Sequence, residues 1–185
     1  MLVPTTFFGG LITNLPTFRI LTTQKLIKAA SILNIPIYAT TQNRARLGET
    51  CAELSIPNAV EHADKTAFSM WIPQISQHFS SATPSEVVIV GIESHICVTQ
   101  TTLDLLANGH KVYVLADGVS SCNPQEIPIA LARLRAAGAV VTTSESFLYE
   151  LMGNAAIPEF KSIAGLVKEM SADTKDVMST LLSKM

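Results

Sequence analysis

The chain has 185 residues, enough for one domain with a proper core, and its 48% hydrophobic and 15% charged residues exclude a disordered composition. Thirteen basic side chains against fifteen acidic ones leave a net charge of −2, which gives no global pull toward nucleic acid or an anionic membrane. No apolar run reaches the ~18 residues needed to span a bilayer, and the first residues lack the basic cluster of a signal peptide.

The first predicted element is a helix. Leu26, Ala29, Ala30 and Leu33 recur at spacings of three and four, so it starts near Pro16 or Thr17 and stops before Pro36. "IPIYAT" (35–40) reads as a short buried strand, and 41–64 as a long loop of the kind that is often functional. A helix follows over about 70–79, then the β-branched strand "EVVIVG" (86–91). The next helix runs from about His95 to Asn108 and is closed by Gly109, which tolerates positive φ. After it come the strand "KVYVLAD" (111–117), a helix with Pro128 in its first turn, the strand "AVVTT" (139–143) and the helix "SESFLYELMG". Pro158 opens a last long helix, and residues 171–185 form a tail that is either a separate short helix or frayed. This alternation argues for one α/β domain over 1–170, a mostly parallel sheet with helices on both faces, and a ligand site outside the carboxyl ends of the strands.

"GIESHIC" (91–97) sits at such an end and puts Cys97 at the first turn of a helix. A helix N-terminus favours a thiolate by roughly 0.3–1 kcal/mol, and a lysine within ~4 Å adds roughly 1–4 kcal/mol. Lys65, in "HADKTAFSMW", follows the long loop and is the best candidate for that partner. Read by residue type alone, Cys97 is more often a packing residue and Lys65 a solvated surface charge. Cys51 and Cys122 read as ordinary thiols, and the three cysteines together as free thiols of a reducing compartment.

"DKTAFSMW", "GIESHICVTQTTLDLL", "DGVSS" and "TTSESFLYELMGNAAIPEFKSI" together resemble the isochorismatase-like cysteine hydrolases, closest to the small eukaryotic isochorismatase-domain proteins, over roughly Phe7 to Met170. The resemblance implies a three-layer doubly wound sheet with strand order 3-2-1-4-5-6. It implies Cys97 as a nucleophile that attacks a carbonyl carbon, and Lys65 as its catalytic lysine. It also implies a cis peptide at Ile92–Glu93, and the backbone N–H groups of Glu93 and Cys97 as an oxyanion hole.

The family's third catalytic residue is an aspartate at the end of the first strand, for which the matching place is close to Met1–Thr6. No acid occurs before Glu49, while Arg19, Lys25, Lys28, Arg44 and Arg46 precede it. The segment is either simply acid-poor or short of an acid-bearing piece. The expectation is therefore an N-terminally incomplete domain, its first central strand missing or reduced to "MLV", with buried backbone groups of its neighbours left unpaired. Losing a general base typically removes 10²–10⁴-fold in rate.

Substitutes look weak. Asp64 points away from Lys65 along an extended segment, Glu93 contributes its backbone, and Asp117 braces the "DGVSS" turn. His95 does not share a helix face with Cys97 and reads as a rim or capping residue. His62 and His78 lack metal-ligand spacing, and the loop 41–64 lacks the zinc ligands of related amidases, so neither metal nor cofactor is expected. Trp71 and Phe68 read as core or pocket wall. Arg44 and Arg46 are the only local basic feature and lack aromatic interleaving.

Two readings follow. One is a hydrolase of a small carbonyl or amide substrate, preceded by an upstream segment that carries the aspartate. The other is a catalytically inactive relative that serves as a binding or oligomerisation partner. In both, the expected partners are a small molecule and further copies of the chain, with no nucleic acid and no membrane. The expected setting is intracellular: cytoplasmic, or else mitochondrial. The Leu148–Met152 face reads as subunit contact or core.

Overall fold

The computed structural model describes residues 5–9, 17–79 and 82–182. Strands and helices alternate: β1 (Thr5–Gly9), α1 (Thr17–Ile32), β2 (Ile37–Gln42), α2 (Arg44–Leu47), β3 (Ala59–Lys65), α3 (Pro73–Ser76) and β4 (Glu86–Ile92). A π-helical turn (Ser94–Val98) leads into α4 (Thr99–Ala107), followed by β5 (Lys111–Ser120), α5 (Glu126–Ala136), β6 (Val140–Thr142), α6 (Ser144–Met152), α7 (Phe160–Glu169) and α8 (Ser171–Leu182). All strand pairs are parallel, and the sheet runs β3-β2-β1-β4-β5-β6. The strand order reverses between β1 and β4, where a doubly wound sheet opens a crevice at its carboxyl edge.

β4 and β5 are apolar through their middle residues because both faces are covered. Val87, Ile89, Val112 and Val114 face Ile75, Leu105, Leu131 and Leu134. The alternate residues Val88, Val90, Tyr113 and Leu115 face Leu26, Ala30 and Phe147. A third cluster, in which Ala29, Leu148, Met152, Ile163 and Leu166 meet, seats α7 on α1 and α6. Leu148 and Met152 are thus core, which decides between the two readings of that face. Each such aliphatic side chain stabilises the fold by about 1.5–3 kcal/mol when fully buried.

The expected gap at the centre of the sheet is not there. β1 pairs with β4 from Thr5–Glu86 to Gly9–Val90, and with β2 from Phe7–Ile37 to Gly9–Ala39. Both neighbours therefore keep ladder partners. Threonine and phenylalanine suit a strand, but "TTFFG" runs straight into Gly10 and is too short to show a pattern. "MLV" lies outside the described residues.

Three further expectations change. The loop 41–64 contains α2 and the edge strand β3, whose Glu61, His62, Asp64 and Lys65 hide it from an apolar pattern. The helix expected over 70–79 is a single turn. β5 continues to Ser120: Ile89 pairs with Val114 but Gly91 with Val119, so extra β5 residues bulge out. Gly118 lies in that bulge, where a Cβ would stand 2.8 Å from Val90 Cγ1. At the end of α4, Gly109 takes φ +82°, the conformation that closes the helix. Residues 171–182 form a helix rather than a frayed tail.

Candidate active site

Four strand ends meet along the carboxyl edge: Lys65 closes β3, Gln42 closes β2, Gly9 closes β1, and Glu93 follows β4. Lys65 is only 5% exposed. Its ammonium donates to Gln42 Oε1 at 2.5 Å, to the Ala67 carbonyl at 3.0 Å and to the Phe68 carbonyl at 2.9 Å. Three neutral oxygens thus accept its three protons. Burial pushes this lysine below its ordinary value, while the charges of Cys97 and Asp64 pull it back up. Lys65, at the end of β3, and Cys97, in the turn after β4, thus both stand at the carboxyl edge of the sheet.

Cys97 is buried in the π-turn, whose Glu93 carbonyl accepts the N–H groups of Ile96 and Val98, both at 3.1 Å. The bond to Val98 spans five residues and widens the helix, a feature frequent at functional sites. A collar of short polar side chains surrounds it. Thr99 Oγ1 donates to the Ser94 carbonyl at 2.7 Å, Ser94 Oγ donates to the Ser120 carbonyl at 2.8 Å, and the Ser94 N–H donates to Ser121 Oγ at 3.1 Å. The peptide bond between Ile92 and Glu93 is cis. His95 Nδ1 lies 3.0 Å from Ser121 Oγ, at the rim and part-buried.

Each acid weighed as a substitute base is occupied elsewhere. Asp64 accepts from Thr41 Oγ1 at 2.8 Å and from the Arg44 N–H at 2.9 Å; these bonds, the Arg44 one foremost, hold its carboxyl below the usual range. Glu93 Oε2 accepts the Cys122 N–H at 2.6 Å. Asp117 accepts both the N–H and the hydroxyl of Ser144, at 2.8 and 2.5 Å, so it fixes the start of α6 rather than the "DGVSS" turn. His62 lies 3.1 Å from Thr50 Oγ1 on the edge strand, and His78 packs on the Tyr38 ring. Among the described residues, no three His, Cys, Asp or Glu side chains converge as a metal site. Trp71 packs against Phe79 and His110 as part of the core, whereas Phe68 is 52% exposed.

The sequence reading missed Gln42. Its only signal is position, as the last residue of a buried strand at the carboxyl edge. It also missed the buried lysine of α1: Lys25, 1% exposed, donates to Thr174 Oγ1 at 3.1 Å. The acid-poor first quarter of the chain draws its counter-charges from later segments. Arg44 pairs with Glu49 at 3.2 Å and Lys28 with Glu169 at 3.7 Å.

An isochorismatase domain model matches residues 19–146. The chain belongs to the isochorismatase family. The secreted isochorismatase effector Isc1 of Phytophthora sojae is 43% identical over 88% of this chain and 80% of its own length. Isochorismatase domain-containing protein 1 of Salmo salar is 38% identical over 87% of the chain, which spans 56% of that relative. Among solved structures, the MAR1 ribonuclease of Caenorhabditis elegans superposes with a TM-score of 0.83 at 35% identity, covering 90% of each chain. The octameric hydrolase YcaC of Escherichia coli shares the fold, with a TM-score of 0.76 at 21% identity over 97% of this chain and 93% of that one. This isochorismatase domain thus has the α/β architecture of its hydrolase family. Among the described residues, no helix is long and apolar enough to cross a membrane.

Proposed function

We propose that this chain acts on a small carbonyl or amide compound through Cys97, with Lys65 supplying the positive charge that keeps the sulfur anionic. The observation that carries this reading is the Lys65 cradle. A buried ammonium is expensive unless it is hydrogen-bonded, and here its partners are three neutral oxygens. None of these partners is a carboxylate, so its charge remains available to the thiolate.

The first half-reaction needs only these groups. The Cys97 sulfur donates an electron pair to the carbonyl carbon, and the C=O pair moves onto oxygen. The N–H groups of Glu93 and Cys97 receive that oxyanion. Collapse expels the leaving group, which takes a proton from solvent, and leaves an acyl thioester. Water then attacks the thioester to release the acid and restore the thiol. The resemblance gives thiol deprotonation and water activation to an aspartate at the end of the first strand, but β1 reads TTFFG and holds no acid.

The occupation of Asp64, Glu93 and Asp117 by other donors favours a second reading, a family member without turnover that serves as a binding or oligomerisation partner. Homo-oligomerisation is part of either reading. It is supported by the exposed apolar side chains Leu47, Phe68, Ile129 and Tyr149. The three free cysteines support an intracellular, reducing setting, whereas the Phytophthora relative is by name secreted.

Product release from a panel of small amides, carbamoyl compounds and esters tests the first reading, with Cys97→Ala as the control. Turnover that Cys97→Ala abolishes supports the hydrolase. A single stoichiometric adduct on Cys97 without turnover supports the arrested member, and neither adduct nor turnover on any compound contradicts the nucleophile assignment.

A further inference from the structure

Three buried threonines lie in the first turn of α4, and they do different things. Thr99 Oγ1 donates to the Ser94 carbonyl inside the π-turn. Thr102 Oγ1 has no hydrogen-bond partner among the described residues. Thr101, fully buried, donates to the Cys97 carbonyl at 2.6 Å and accepts the Met70 N–H at 2.9 Å. A bond from a threonine to the carbonyl four residues back is ordinary in helices. The bond from Met70 is not local: it comes from 31 residues earlier in the chain.

Met70 ends the segment that starts at Lys65. At its near end, the Ala67 and Phe68 carbonyls hold the Lys65 ammonium. At its far end, the Met70 amide is held by Thr101. The same hydroxyl grips the carbonyl of the cysteine itself. We propose that Thr101 is a positioning residue: its hydroxyl sets the placement of Cys97 relative to Lys65 by tying the cysteine's carbonyl to the Met70 amide.

The proposal rests on Cys97 and Lys65 being the reacting pair. The attraction between two charges falls with their separation and with the entry of water between them. A segment that carries the lysine but has lost its anchor to the nucleophile's turn lets both happen. Thr101→Val keeps the shape of the side chain and removes both bonds. Thr101→Ser keeps the hydroxyl.

The test is the rate of Cys97 alkylation by iodoacetamide, followed by peptide mass spectrometry from pH 6 to 10. Thr101→Val is expected to slow the reaction at pH 7 about tenfold, the equivalent of one pH unit in the profile, with the difference closing toward pH 10. Thr101→Ser is expected to stay within about twofold of wild type, because the charge effect follows the hydroxyl rather than the methyl group. In a Lys65→Met background, Thr101→Val is expected to add nothing. A folded Thr101→Val protein with the wild-type profile, while Lys65→Met alters it, overturns the proposal and leaves the reacting pair intact. A wild-type profile that Lys65→Met does not alter overturns the pair and this proposal with it. Hydrogen exchange of the Met70 amide in the wild-type protein gives a second reading that needs no variant to fold. Protection equal to that of the α4 amides supports the bond, and fast exchange overturns it.

Discussion

The molecule buries two lysines, and they are surrounded in opposite ways. Lys65 is held by the carbonyl-type oxygens of Gln42, Ala67 and Phe68, with Cys97 and Asp64 acting on its charge from outside those contacts. Lys25 has one hydroxyl partner, Thr174, and sits in the field of Asp117, Glu145 and Asp173. Burial lowers both from the ordinary lysine value, and those three acids pull Lys25 back up. The charge of Lys25 is thus spent on joining α1, α8 and the carboxyl end of β5. On the proposed reading, the charge of Lys65 is left for Cys97.

Reversing a charge has the largest expected effect. Lys25→Glu places an unpaired carboxylate among three acids and should cost about 3–5 kcal/mol in urea unfolding, the range for a broken buried pair. Ser144→Ala tests the same joint more gently. It leaves Asp117 Oδ2, bonded to Ser144 Oγ, without that donor, and should cost about 1–3 kcal/mol with no effect on Cys97 chemistry.

A pH series tests Lys25 further. Because Lys25 is held below 10.5 in the folded protein, the unfolded chain binds the extra proton in the window just beneath that value. Stability from this group therefore rises as pH climbs through that window. Lys25→Met should lose that rise in unfolding curves measured between pH 8 and 10.5. The smallest effect belongs to the surface. Glu49→Gln removes an exposed partner of Arg44 and should shift stability by no more than about 1 kcal/mol.

The parts of this design differ in how openly the sequence declares them. Cys97 and the cis peptide lie within one contiguous stretch, and Lys65 sits in another, so the family resemblance carried by those stretches pointed to each before any tertiary contact was known. Gln42 could not, because its partner is 23 residues away and only strand register brings them together. Lys25 was hidden by its type: its spacing of four from Ala29 puts it on the buried face of α1, but a lysine on a helix reads as solvated. β3 was hidden by its polar residues, and β1 by its brevity beside two glycines. The family's aspartate has no counterpart in β1, and the acids that do lie near the edge are bonded to Thr41 and Arg44, to Cys122, and to Ser144.

The central claim is that Lys65, and not Lys25, serves Cys97. The most direct test is the alkylation rate of each of the three cysteines at pH 7 in wild type, Lys65→Met and Lys25→Met. The account predicts that Cys97 reacts fastest, and that Cys51, whose thiol is pushed up chiefly by burial and further by Glu53, lags behind it. Lys65→Met should slow Cys97 by at least about tenfold, the equivalent of ~1.4 kcal/mol of lost charge stabilisation, while Lys25→Met leaves it within twofold. Equal rates at the three thiols, or a Cys97 rate that Lys25→Met changes as much as Lys65→Met, would contradict it.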